Sequence, residues 1–140
     1  MRSTLTIATG LLLALAGLVV SGTTMPLHVS ADPAGHSNAP VLIYIYSPEC
    51  GACRQFDREV GPIYDKTAES LALPLERVLI GDWQTDRHPL VECAATKVIG
   101  TPTFLQIRHC QELDRIAGYS DAELFWLGHR RMMNRIASDQ

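Results

Sequence analysis

Hydrophobic positions along this chain fall into short runs with different periods. Val41-Leu42-Ile43-Tyr44-Ile45-Tyr46 is apolar at every position. A run with no polar face predicts a strand covered on both sides, hence central in a sheet. Ser47-Pro48 ends it. The period then changes: Cys53, Phe56, Val60, Ile63 and Tyr64 recur at helical spacing. They predict a helix from Cys50 to Ser70, stopped by Leu73-Pro74. Val78–Asp82 predicts a second strand, parallel to the first because a helix connects them. Asp86 has the chemistry of a helix cap, with Pro89 in the first turn of a second helix carrying Leu90, Val91, Cys93 and Ala94 to Lys97. Gly100-Thr101-Pro102-Thr103 breaks the pattern. Phe104–Ile107 predicts strand three, His109–Glu112 a turn, and Leu113–Ile116 strand four. Ser120 and Glu123 have capping-box spacing and open a last helix. Its buried stripe is Phe125, Gly128, Met132 and Ile136, widened by Leu124 and Leu127. Arg130, Arg131 and Arg135 fall near its C-terminus, where a solvated, dipole-favoured basic face is expected.

The residues before the first strand follow another logic. Arg2 is followed by the apolar core Leu11–Val20, and Val29-Ser30-Ala31 offers small residues for cleavage. This predicts a cleaved export signal over residues 1–31, a loose polar leader over residues 32–40 and one folded domain over residues 41–140. The apolar core is shorter than the ~20 residues a membrane span needs. Export implies a periplasmic, oxidising setting in which disulfides persist. The net charge of −3 on 140 residues, with no basic run, gives no reason to expect nucleic acid as a partner. One small domain with one site fits a monomer.

The candidate chemistry sits between the first strand and the first helix, in Pro48-Glu49-Cys50-Gly51-Ala52-Cys53. Two residues between the thiols let the sulfurs meet across one helical turn. Cys50 lies where the free N–H groups of the helix point outward, and these favour thiolate over thiol. The thiolate is the nucleophile. Cys53, one turn in, is placed to resolve a mixed disulfide. A structural zinc site needs four ligands, and Cys93 and Cys110 lack the paired spacing. Covalent haem would want His after Cys53, where Arg54 stands. No metal or cofactor is expected.

Cys93 and Cys110 leave two readings open: a buried thiol with a surface thiol, or a second bridge. A bridge closing this loop is worth about 3 kcal/mol in the chain-entropy model. His88 and His109 belong to no ligand-spaced set and read as surface histidines. Trp83, following strand two, is a candidate wall of a substrate groove, because sites form at the carboxyl ends of parallel strands; the other reading is core.

The order β-α-β-α-β-β-α, the Cys-x-x-Cys after an apolar strand and the Thr101-Pro102 before strand three together resemble the thioredoxin family. The resemblance covers nearly all of the chain after residue 40. It implies an α/β thioredoxin fold with a four-stranded mixed sheet flanked by helices. It also implies a cis Pro102 beside the sulfurs, with Thr101 and Pro102 holding an extended substrate segment. The longer motif Pro-Glu-Cys-Gly-Ala-Cys-Arg-Gln-Phe is similar to that of the SoxS family, periplasmic thioredoxins of bacterial sulfur oxidation. That resemblance implies a reductant that takes electrons from a membrane thiol transporter. Its partner would be a sulfur-carrier protein, whose carrier cysteine it clears of oxidised adducts. The chain departs from thioredoxins in three places. Gly51-Ala52 replaces Gly-Pro, Glu49 replaces tryptophan before Cys50, and Tyr44 replaces the buried aspartate. No proton acceptor for Cys53 is therefore visible, and Glu49 opposes the thiolate-stabilising helix terminus. Two other functions fit the motif in principle: a dithiol oxidant or isomerase, and a copper-binding thioredoxin-like chaperone. The absence of a Met- or His-rich stretch argues against the second.

Overall fold

The computed structural model describes residues 39–138. The expected export signal, and the expected leader apart from Ala39 and Pro40, lie outside the described residues. Four strands form one mixed sheet, β1 (Val41–Tyr46), β2 (Leu75–Leu79), β3 (Thr103–Arg108) and β4 (Gln111–Ala117), in the order β2-β1-β3-β4. β1 is parallel to β2 and antiparallel to β3, and β3 is antiparallel to β4. The wholly apolar run is thus central, and Leu42, Ile43, Tyr44 and Ile45 are fully buried.

Alternation along β1 divides the core in two. Leu42 and Tyr44 face Cys53, Phe56, Val60, Tyr64, Phe104, Phe125 and Met132 under α1 (Gly51–Glu59) and α5 (Ala122–Ser138). Ile43 and Ile45 face Val78, Trp83, Cys93, Val98, Leu105 and Ile107.

The first helix is shorter than its apolar spacing predicts. α1 ends at Glu59, and α2 (Gly61–Tyr64) and α3 (Glu69–Ala72) follow as single turns. The cause is Pro62, which has no N–H for the helical ladder and crowds the preceding turn. β2 begins at Leu75 rather than Val78 and ends at Leu79; Ile80–Gln84 is helix α4. The run Val78-Leu79-Ile80 crosses the strand end, and hydrophobicity alone carries no mark of that boundary.

The expected helix from Asp86 to Lys97 does not form. One 3-10 turn, Val91–Cys93, is all that remains of it. Asp86 adopts φ 55°, not the extended conformation of a helix cap. Pro89 biases His88 away from helical backbone. Side chains satisfy the backbone instead: His88 Nδ1 accepts from the Leu90 N–H at 3.3 Å, and Glu112 accepts from the Ala95 N–H at 2.8 Å. The β3–β4 turn is tighter than expected, because Gln111 and Glu112 already belong to β4. His109 and Cys110 both have φ 52°, the backbone of a two-residue hairpin turn.

Asp121, not Ser120, caps α5, its carboxylate accepting from the Leu124 N–H at 2.9 Å. Leu124 and Leu127 are exposed rather than widening the stripe, and His129 takes the buried place. Gly128 lets α5 approach β4: a Cβ there would lie 2.7 Å from Ile116 Cδ1. Arg131 and Arg135 pair with Asp114 of β4 at 2.7 and 3.2 Å, so that basic face also anchors the helix.

The Tyr64 hydroxyl donates to the Leu73 carbonyl at 2.7 Å and lies 3.0 Å from His129 Nε2. Its one proton being used, it accepts from His129 Nε2–H. Burial pushes the His129 pKa down. The unfolded chain therefore binds this proton more readily than the fold does. Stability present above about pH 6.5 is lost as the pH falls below the unfolded value and through the depressed folded one. Unfolding midpoints measured from pH 7.5 to 5 should fall in the wild type and fall less in His129→Gln.

Candidate active site

The site is built at the carboxyl end of β1. Ser47 and Pro48 turn the chain, and Cys50 becomes the N-cap of α1, with φ −73° and ψ 116°. Its sulfur accepts from the Cys53 N–H at 3.0 Å. Cys50 and Cys53 are joined as a disulfide with Cα atoms 5.2 Å apart. The two sulfurs are not equivalent. Cys53 is 1% exposed among Tyr44, Phe56 and Phe104, whereas Cys50 is half-buried at the rim. An incoming disulfide can reach Cys50.

Across the chain fold, the Thr101–Pro102 peptide is cis, and the Thr101 carbonyl oxygen lies 3.4 Å from Cys50 Sγ. A Cys50 thiol could donate to that oxygen. The segment is pinned on both sides. Thr103 Oγ1 donates to the Gly100 carbonyl at 2.8 Å, and the Gly118 N–H donates to the Pro102 carbonyl at 2.8 Å.

Glu49 is exposed beside the pair. The Ser47 hydroxyl donates to its carboxylate and holds its pKa below the usual range, so it is an anion next to the nucleophile. Solvent screens that charge, whereas the Cys53 N–H contacts the Cys50 sulfur directly. Arg54 Nη1 donates to the Pro48 carbonyl at 2.9 Å and fixes the turn before the motif.

The structure does not bring Trp83 to this site as an open wall. It is 3% exposed and packed among Val78, Cys93 and Val98, which leaves little indole surface for a docked chain. His88 is not a surface histidine: it stacks on Trp83 with ring centroids 5.5 Å apart and pairs with Glu76 at 2.9 Å. Cys93 and Cys110 are joined in a second disulfide, Cα atoms 4.6 Å apart, tying the 3-10 turn to the hairpin tip. Among the described residues no group of three or more His, Cys, Asp or Glu could hold a metal ion.

Three residues around Cys53 escape the sequence reading as a group. The Tyr44 hydroxyl donates to the Cys53 carbonyl at 3.2 Å. Asp57 pairs with Arg77 at 2.7 Å, and the Arg77 guanidinium lies 5.2 Å from the centre of the Tyr44 ring. Asp57 stands four residues after Cys53, on the same helix face, a spacing that could have found it.

Residues 28–127 match the family described as thioredoxin-like domain. The chain belongs to the thioredoxin-like family. No curated protein matches it. Among solved structures it is similar to the periplasmic thioredoxin SoxS from Paracoccus pantotrophus, in its reduced form. The two are 29% identical with a TM-score of 0.59, over 69% of this chain and 98% of that one. It is also similar to Trxlp from Edwardsiella tarda, 24% identical, covering 66% of this chain and 82% of that one, with a TM-score of 0.48. This thioredoxin-like protein is therefore a thiol–disulfide oxidoreductase with the fold the sequence predicts.

Proposed function

We propose that this thioredoxin-like protein is a periplasmic reductant. Its substrates are disulfides or oxidised sulfur adducts on a partner protein, and the partner is a sulfur-carrier protein. The observation that carries the mechanism is the asymmetry of the pair: Cys50 half-buried at a helix N-terminus, Cys53 1% exposed one turn below. Reduced Cys50 attacks the partner's sulfur as thiolate, and a mixed disulfide forms. Cys53 then attacks the Cys50 sulfur, the partner leaves reduced, and the Cys50–Cys53 disulfide remains. The Cys53 N–H and the α1 N-terminus stabilise Cys50 as thiolate. The Thr101 carbonyl and Pro102 hold the substrate backbone, and Glu49 borders it.

Similarity to a periplasmic thioredoxin supports the compartment. So do the sequence features of a cleaved signal over residues 1–31 ahead of a domain over residues 41–140. No helix among the described residues is long and apolar enough to cross a membrane. A reductant outside the cytoplasm needs a supply of electrons, and a membrane thiol transporter is the donor in this reading. A Cys53→Ser variant tests it. The variant should be recovered from a periplasmic extract linked through Cys50 to the carrier cysteine of a sulfur-carrier protein. An extract that holds the carrier and yields no such adduct would contradict the partner assignment.

A further inference from the structure

The loop that faces Cys50 is held at its two ends by different means. Downstream of Thr101, the Pro102 carbonyl accepts from the Gly118 N–H at 2.8 Å and Thr103 enters β3. Upstream, the chain between the 3-10 turn at Val91–Cys93 and β3 forms neither strand nor helix. Side chains of β4 hold that stretch instead. Glu112 Oε2 accepts from the Ala95 N–H at 2.8 Å, and Arg115 Nη2 donates to the Thr96 carbonyl at 2.9 Å. The two side chains also grip each other: Arg115 Nε and Nη2 donate to the two Glu112 carboxylate oxygens, each at 2.8 Å. Just before Ala94, the Cys93–Cys110 bridge ties the chain to the hairpin tip.

Strength alone does not explain this clamp. The Glu112 side chain is 8% exposed and that of Arg115 23%. Two charges taken out of water give little net stability, and an apolar pair of similar volume is often as stable or more so. What the ion pair supplies is direction. A planar guanidinium locked to a carboxylate by two parallel bonds aims one donor at Thr96 and one acceptor at Ala95. The clamp therefore fixes where the next residues begin. From Lys97 to Gly100 only Val98 is buried. Ile99 is 88% exposed, and a Cβ on Gly100 would meet nothing within 4 Å. The loop has open space around it. Thr101, whose carbonyl lies 3.4 Å from Cys50 Sγ, takes its place from the clamp behind it and the sheet ahead of it.

We propose that Glu112 and Arg115 are positioning residues for protein substrates. They hold Lys97–Thr101 in the arrangement that lets a docked peptide backbone lie along Thr101 while its disulfide meets Cys50. Neither residue touches substrate or sulfur. Loss of the clamp leaves Cys50 chemically intact and lets the loop sample other arrangements. Docking then weakens in proportion to the fraction of molecules that remain competent. Recognition of the partner is thus set from β4, outside the Cys50–Cys53 pair. The proposal deepens the reductant reading and rests on Cys50 being the nucleophile.

The test uses the full protein reduced at Cys50–Cys53, with the Cys93–Cys110 bridge verified by mass spectrometry. Two probe disulfides are compared at one ionic strength. One is a synthetic peptide dimer joined through a central cysteine, with backbone on either side of the sulfur. The other is dithiobis(nitrobenzoic acid), a reactive disulfide with no peptide to dock. Arg115→Met keeps an unbranched apolar stem and removes the guanidinium. It should lower the second-order rate constant for the peptide about tenfold, equivalent to about 1.4 kcal/mol, and leave the aromatic probe's rate nearly unchanged. Arg115→Lys keeps a cation that reaches Glu112 or Thr96 without the fork, and should recover part of the peptide rate. Arg135→Met breaks a pair with Asp114 at the other end of β4's charged face and should leave both rates at the wild-type values. Rates are taken at a temperature where circular dichroism shows each variant folded. An equal loss on both probes would place the damage at Cys50 itself, and an unchanged peptide rate in Arg115→Met would leave the clamp a purely stabilising role; either overturns the proposal. If Arg115→Met does not fold, Arg115→Lys carries the same comparison: a loss confined to the peptide supports the proposal, and no loss overturns it. A wild type that reacts with the aromatic probe alone would overturn loop docking. A wild type whose Cys50 reacts with neither probe would overturn the nucleophile assignment, and the clamp's role with it.

Discussion

Cys50→Ser is expected to abolish disulfide reduction, and Cys53→Ser to stop it after one bond exchange. The two outcomes differ because the sulfurs occupy different places. Cys50 caps α1, meets solvent and receives the Cys53 N–H at 3.0 Å. Serine there has the same reach but no accessible anion, since its hydroxyl does not ionise near neutral pH, so no covalent intermediate can start. Cys53 is buried and first contributes after Cys50 has reacted. Without it the mixed disulfide has no internal exit. Mass spectrometry under non-reducing conditions should show a stoichiometric adduct on Cys53→Ser and none on Cys50→Ser. An adduct on Cys53 in the Cys50→Ser variant would reverse the roles. Turnover by either variant at the wild-type rate would remove the pair from the mechanism.

The second large effect concerns stability. Cys93→Ala/Cys110→Ala should destabilise the oxidised protein by about 3 kcal/mol, from loop closure between residues 17 apart. For a folded unit of this size that is a fall of roughly 10–20 °C in the unfolding midpoint. The site of the bridge gives reason to expect the full amount. The segment between α4 and β3 has one 3-10 turn and borrows hydrogen bonds from His88 and Glu112, so little else holds it. The tip of the hairpin has two non-glycine residues at positive φ, a conformation that costs energy in an unconstrained chain. Thermal unfolding of the double variant beside the wild type measures the effect. A loss below about 1 kcal/mol would mean that packing of Trp83, Val91 and Val98 keeps the segment in place without the bridge.

The parts of this fold that the sequence makes legible are those where one cause acts alone. β1 is apolar on both faces because it is central, and its boundaries are those of the apolar run. The motif follows it into a helix N-terminus, and the Thr101–Pro102 peptide is cis beside the sulfur. The misread parts have competing causes. Helical spacing continues from Phe56 to Tyr64, but Pro62 interrupts the hydrogen-bond ladder beneath it. Four apolar residues from Leu90 to Ala94 look like one helix face, yet Cys93 is buried and the other three half-buried against the cluster of Ile43, Ile45 and Trp83, without forming a helical stripe. His129 looks polar and is buried because Tyr64 offers its hydroxyl. Asp57 and Arg77 are distant in sequence, and the β1–β2 register brings Arg77 opposite Tyr44. Tyr44 stands where thioredoxins have a buried acid, and its hydroxyl donates to the Cys53 carbonyl.

The central claim is that Cys50 and Cys53 form a reducing dithiol, and its most direct test is the redox equilibrium of that pair against glutathione, with Cys93 and Cys110 followed separately. A potential near that of thioredoxin, about −270 mV, is expected. A value near −120 mV, that of a strong oxidant, would contradict it, since the difference of roughly 7 kcal/mol would drive electrons from the partner to this protein.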